Sequence, residues 1–170
     1  MKQLWAPWRM SYLQGEGRDE VEGCLFCAKL EQPDEGEHIL YRGLRSYVTL
    51  NRYPYNNGHL MVVPCEHVPG LEDLDAGTLL ETLRLVQESL RILREVFAPE
   101  GFNVGINEGV AAGAGVAEHL HVHVVPRWSH DANYMTTIGQ TRVIPEMLDE
   151  TYTALRPHFA RLGEADSNGL

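Results

Sequence analysis

Cationic side chains are scarce in this chain. Lysine occurs only at Lys2 and Lys29, and 14 Lys+Arg stand against 24 Asp+Glu, for a formal net charge of -10. So acidic a chain lacks a broad basic surface, which argues against nucleic-acid polymers and anionic membranes as partners. Long apolar runs are missing too: no stretch reaches the roughly 18 residues that a membrane-spanning helix needs. The opening Met1–Tyr12 has neither the apolar core nor the small-residue cleavage site of a signal peptide, so the sequence reads as cytoplasmic. Cysteine is limited to Cys24, Cys27 and Cys65, an odd number in which two form a Cys-x-x-Cys. That is a poor disulfide framework and the spacing of half a metal site.

What remains is ordinary globular composition, with 170 residues, 44% hydrophobic and 22% charged, enough for one sizeable core. An aromatic arm carrying Trp5, Pro7, Trp8, Met10 and Tyr12 opens the chain. Ile39–Tyr41, Tyr47–Leu50 and His59–Val63 are short, β-rich and separated by turn residues, which predicts an antiparallel meander. Leu79, Leu80, Leu83, Val86, Leu90, Leu93 and Phe97 recur at three- and four-residue intervals and predict an amphipathic helix. It starts near Asp75 or at Thr78, where Glu81 would complete a capping box, and ends at Pro99 and Gly101. Phe102–Ile106 reads as a fourth strand and Glu118–Pro126 as a fifth. A last helix from Pro145 through Leu155 would be kinked or stopped by Pro157. The fold class is α+β: an antiparallel meander of about five strands packed with one long and one C-terminal helix. Residues 24–163 form the domain, 1–23 the arm, and 164–170 a frayed tail.

The strongest local signal is His119-Leu120-His121-Val122-His123-Val124-Val125-Pro126-Arg127. Alternate side chains of a strand share a face, so the three imidazoles would project together while Leu120, Val122 and Val124 face the core. Such an array suits zinc ligation, or a nucleophile toward phosphorus whose neighbours orient it and neutralise charge. Upstream, the backbone N–H groups of Gly113, Ala114 and Gly115 can approach phosphate oxygens without side-chain obstruction, which favours phosphoryl or nucleotidyl chemistry.

These residues resemble the signature of the histidine triad (HIT) family. The likeness extends through Cys24-Leu-Phe-Cys27, Leu50-Asn51-Arg52-Tyr53-Pro54, Gly58-His59-Leu60-Met61-Val62-Val63-Pro64 with His67, and Asn107-Glu108-Gly109, all in the family's order. The arm Leu4–Met10 and the stretch from Pro126 to Thr141 are similar to a bacterial subgroup related to diadenosine tetraphosphate phosphorylases.

The resemblance implies that His121 attacks the α-phosphorus of a nucleotide and carries a nucleotidyl-imidazole intermediate. It implies that His123 and His59 bind phosphate or tune that nucleophile, that Asn51 meets the ribose and that Asn107 lies near the phosphates. Cys24, Cys27, His67 and His119 match a structural zinc set found in some bacterial relatives; no organic cofactor is implied. Cys65 is left as a strand-end residue, and His38, His130 and His158 as surface residues. Many relatives carry Gly-Gln-Ser or Gly-Gln-Thr before the triad, where this chain has Gly115-Val116-Ala117-Glu118, a departure that disfavours phosphoramidase chemistry.

The expected function is therefore cleavage of a purine nucleotide, foremost a dinucleoside polyphosphate, by hydrolysis or phosphorolysis. The alternatives are a nucleoside phosphoramidase or adenylyltransferase, and a zinc-stapled nucleotide-binding module with little turnover. The family relation also implies a homodimer or higher homo-oligomer.

Overall fold

The computed structural model describes residues 23–129, 131 and 146–167. The arm of residues 1–22, His130, the segment 132–145 with Pro145, and residues 168–170 lie outside the described residues. The described elements are α1 (Leu25–Leu30), a one-turn α2 (Asp34–Glu37), β1 (Ile39–Arg42), β2 (Ser46–Leu50), β3 (Leu60–Pro64), α3 (Ala76–Phe97), β4 (Gly101–Ile106), β5 (Val122–Arg127) and α4 (Leu148–Ser167). The strands form one five-stranded sheet in the order β1-β2-β3-β5-β4, every neighbouring pair antiparallel. The α+β reading holds.

Strand alternation divides the sheet into two working faces. Val48, Leu50, Leu60, Val62, Val122 and Val124 pack with Leu85, Val86, Ile92 and Leu93 of α3 and with Leu155 and Phe159 of α4. Tyr47, Met61 and Val63 point the other way and pack with Phe26 of α1. Ile39 lies on the α1 side, and a register shift between Ile39 and Tyr41 lets the adjacent Leu40 and Tyr41 both pack on the helix side. The first face is the main core, and the second carries the histidines.

Asp75 caps α3, accepting from the Gly77 and Thr78 N–H groups at 2.7 and 3.2 Å and from the Thr78 hydroxyl at 2.6 Å. Thr78 is therefore inside the helix, and Glu81 instead accepts the N–H groups of Arg45 and Ser46 at the β1–β2 turn. The buried stripe also sits further round than the leucine spacing predicts. Thr78, Thr82 and Ser89 are buried while Leu80 and Leu83 are each 52% exposed. Thr82 can be buried because it is paired, its hydroxyl 2.9 Å from Ser46 Oγ and donating to Thr78 O.

Three further expectations are corrected. The last helix passes through Pro157 and runs to Ser167, into the segment expected to fray. Leu155 and Phe159, both at 0% exposure, flank the proline; burying each gives about 1.5–3 kcal/mol, enough together to offset the roughly 3 kcal/mol cost of an interior proline. The fifth strand begins at Val122, not Glu118. The preceding backbone is diverted, because the Leu120 N–H bonds to Val68 O at 2.7 Å and His119 turns toward the cysteines. His38 and His158, expected at the surface, are half-buried and paired with Asp149 (2.7 Å) and Glu95 (3.2 Å). Among the described residues no helix is long and apolar enough to cross a membrane.

Candidate active site and metal centre

The turn between β2 and β3 sets His59. Gly58 adopts φ +68°, a conformation that L side chains rarely take, and an added Cβ would lie 3.2 Å from Leu93 and 3.3 Å from Phe97. The turn closes through His59 N–H to Asn56 O at 3.2 Å, and the Asn56 amide ties it to Pro126 O at 3.0 Å and Asp131 at 2.8 Å. His59 thus enters the sheet with its ring on the α1 side. Met61 pairs with His123 across β3 and β5, which makes His59 and His123 diagonal neighbours.

Hydrogen bonds fix the tautomers on this face. The Tyr55 N–H donates to His59 Nδ1 at 3.0 Å, so the proton of a neutral His59 sits on Nε2. That nitrogen lies 3.0 Å from His123 Nδ1, which must accept, and the His123 proton is therefore on Nε2. His121 Nδ1 lies 2.9 Å from the His119 carbonyl; a carbonyl only accepts, so Nδ1 carries the proton and Nε2 keeps its lone pair. His121 is 4% exposed, and burial holds its imidazole below the usual histidine range, the bond to the His119 carbonyl pulling it partly back. Near neutral pH it is an uncharged base with one bare nitrogen, packed edge-on against the His123 ring at 4.9 Å. The Tyr55 ring stacks at 4.7 Å on His59, at the far end of the row.

Two residues upstream the chemistry changes. His119 donates from Nε2 to Pro64 O at 2.9 Å, which leaves its Nδ1 lone pair 3.3 Å from Cys24 Sγ and 3.5 Å from Cys27 Sγ. His67 Nδ1 lies 3.4 Å from Cys27 Sγ, and the ligand atoms of all four residues fall within 4.8 Å of one another. A tetrahedral zinc with metal–ligand bonds of about 2.0–2.3 Å separates its ligands by roughly 3.3–3.8 Å. The donor set fits: two sulfurs, two imidazole nitrogens, and a carbonyl orienting one of the rings from behind. Burial, the neighbouring Cys24 and then Glu31 push the Cys27 thiol up, so a cation held here would have to displace protons.

The remaining expected residues are placed as follows. Asn51 leaves β2 beside His59, its N–H on His59 O at 3.0 Å, and its side-chain oxygen accepts the Tyr53 N–H at 2.9 Å. Asn107 follows Ile106, which pairs with Val122, and so lies at the same end of the sheet as His121. The Gly113–Gly115 loop corrects the expectation of a bare amide cradle. The Gly113 N–H closes onto Val110 O at 3.0 Å and the Ala114 N–H onto Gly109 O at 3.3 Å, because the loop coils into a short 3-10 turn. Cys65 follows β3, half-buried against the Phe26 cluster. Sequence reasoning passed over Phe26, Tyr55 and Asn56. Only Phe26 had a signal, its place between the two cysteines.

This geometry, three alternate histidines at the head of one strand of a five-stranded antiparallel sheet, defines a histidine-triad protein. A HIT domain model matches residues 32–130, and the chain belongs to that family. It is 44% identical to the AP-4-A phosphorylase of Mycobacterium tuberculosis over 95% of this chain and 86% of that protein. It is 35% identical to the asymmetrical bis(5'-nucleosyl)-tetraphosphatase of Schizosaccharomyces pombe over 56% of this chain and 52% of that one. The fold matches the crystal structure of a zinc-bound histidine triad family protein from Mycobacterium smegmatis with a TM-score of 0.67 and 28% identity, covering 84% of this chain and 97% of the other.

Proposed function

We propose that the protein cleaves dinucleoside polyphosphates, with His121 as the nucleophile. The observation that carries this reading is the His121 tautomer: Nδ1–H on the His119 carbonyl and a bare Nε2 on a neutral, buried ring. In the first step the Nε2 lone pair forms a bond to an α-phosphorus. The P–O bond to the rest of the substrate breaks, and the leaving nucleotide takes the electron pair. His123, its proton on Nε2, donates to a phosphate oxygen, and His59 holds it in that tautomer. In the second step water or inorganic phosphate attacks the same phosphorus and Nε2 departs. Asn51 and Asn107 serve the nucleotide, Asn51 through its amide N–H groups since its oxygen already accepts from Tyr53. Of the loop Gly113, Ala114 and Gly115, the first two shape the phosphate side without donating their own N–H groups.

Cys24, Cys27, His67 and His119 would hold zinc as a closed four-ligand set, which when bound supplies a structural cross-link. Residues 24–163 are the working unit. We place the protein in the cytoplasm, where such thiols stay reduced, and read it as a homodimer. The edge strand β4, with Val104 47% exposed, supports the last point.

The similarity to a phosphorylase over nearly the whole chain favours inorganic phosphate as acceptor. The deciding experiment is product analysis of diadenosine tetraphosphate with and without inorganic phosphate. ATP plus ADP marks phosphorolysis, and ATP plus AMP marks asymmetric hydrolysis. Nucleotide binding without any product overturns the reading and leaves a binding module.

A further inference from the structure

Phe26 lies between the two cysteines of the metal set and ligates nothing, yet it is 2% exposed while its neighbour Leu25 is 39% exposed. Its ring sits 4.9 Å from the His121 ring, tilted by 45°, and 5.4 Å from the His119 ring, near edge-on at 65°. Its own backbone is pinned, because its carbonyl accepts the hydroxyl of the fully buried Tyr47 at 2.9 Å.

These contacts bear on one torsion. The ring torsion of histidine, χ2, is broad and roughly two-fold, so a lone hydrogen bond on one edge of an imidazole leaves it free to swing or flip. A flip of His121 would exchange its two ring edges, take Nδ1 off the His119 carbonyl and redirect the bare nitrogen. The buried Phe26 ring, tilted by 45° against the imidazole at 4.9 Å, raises the cost of that motion.

We propose that Phe26 is a positioning residue for His121: packed on its ring, it holds the angle at which Nδ1–H stays on the His119 carbonyl and Nε2 presents its lone pair in one direction. Phe26 shares its helical turn with Cys27 and follows Cys24 closely, so the same contact ties the nucleophile's orientation to the metal centre. The kinetic consequence rests on the reading of His121 as nucleophile; the geometric one does not.

The test uses the metal-loaded protein with isotope-labelled histidine, comparing wild type with Phe26→Leu and Phe26→Ala. Long-range nitrogen–proton correlation spectra report the tautomer of each ring, and the His121 signals are identified by their loss in His121→Gln. Wild type should show His121 as the single Nδ1–H tautomer. Both Phe26 variants should show it exchanging between tautomers, with metal content per chain unchanged. For diadenosine tetraphosphate, kcat should fall about 10-fold in Phe26→Leu and about 100-fold in Phe26→Ala, as misplacement of a reacting group predicts, with KM held within about threefold. Unchanged His121 signals overturn the proposal. So does a raised KM at constant kcat, which would make Phe26 a floor for the substrate, or loss of metal in both variants, which would make it scaffold for that centre alone. If wild type turns over no substrate, the proposed function fails by itself, and the spectra still decide for or against Phe26.

Discussion

His119 and His121 are two residues apart, both nearly or fully buried, and each donates one ring proton to a backbone carbonyl. The donating nitrogen differs, and so does everything after it. His119 gives Nε2–H to Pro64 and keeps the Nδ1 lone pair among two sulfurs and a second imidazole. His121 gives Nδ1–H to His119 and keeps the Nε2 lone pair outside that cluster. One motif thus presents two differently placed lone pairs, set by which carbonyl lies in reach of which edge of the ring. The metal half is stitched from loops and a short helix; the imidazole row sits on or beside the paired strands β3 and β5.

The sharpest way to break this contrast is to exchange the damage. His121→Ala should abolish turnover, by about a thousandfold or more, because loss of the nucleophile removes the covalent route outright. Metal content should barely change, and the fall in melting temperature should be only that of one emptied buried position. His119→Ala should do the reverse first: lose the metal and lower the melting temperature, with activity falling as a consequence. Parallel metal analysis, thermal melts and steady-state rates check the pair, and identical profiles for the two variants would erase the distinction.

A smaller effect is expected from the metal half alone. Cys27→Ser, or removal of the metal by a chelator, should destabilise the protein and lower kcat by about 10–100-fold, the range seen when groups that orient a ligand are lost. Re-adding zinc should restore the chelated protein and not the variant. Full activity in the stripped protein would show that the two halves share a segment of chain without sharing a function.

How much of this was legible beforehand follows the same divide. Strand alternation and the histidine spacing pointed to the sheet and to the three imidazoles, because period and side-chain type are local properties of the sequence. The tautomers were not legible, since they depend on Pro64 O, on His119 O and on the Tyr55 N–H, backbone groups placed by the fold. The rotated stripe of α3 was missed for a similar reason. Leucine spacing suggests one face, but the Ser46–Thr82 hydroxyl pair makes a polar position cheap to bury, and the helix turns accordingly. The contact of Phe26 with His121 was not legible either, because only the folded sheet brings the two rings together.

On the other half, His59→Phe keeps an aromatic ring, a little larger than the imidazole, and removes both ring hydrogen bonds. The Tyr55 N–H loses its acceptor and His123 loses the donor that fixes its tautomer. A fall in kcat of about 10-fold, with metal content intact, is expected from a group that orients an acid rather than acting as one. An unchanged rate would remove His59 from the row and leave His123 to set its own tautomer.

The smallest effect separates the halves by pH. Burial lowers the His121 imidazole in the folded protein, while the unfolded ring titrates at about 6.5. Between those values the unfolded chain binds more protons, so stability falls as pH drops through the unfolded value and goes on falling to the folded one. Activity follows the folded value only: kcat/KM should stay flat as pH is lowered past the usual histidine range and drop below it, as Nε2 takes up a proton. A metal held by the other half would also be lost in acid, but through competition between protons and metal for the same thiolates and imidazoles. Mass action distinguishes the two, because raising free zinc pushes metal loss to lower pH and leaves an imidazole titration where it was. Profiles of kcat/KM and of bound metal, each measured at two zinc concentrations, should therefore show one acid limb that moves and one that does not. If both limbs move together, the acid loss of activity is loss of the metal, and His121 has no titration of its own within the measured range.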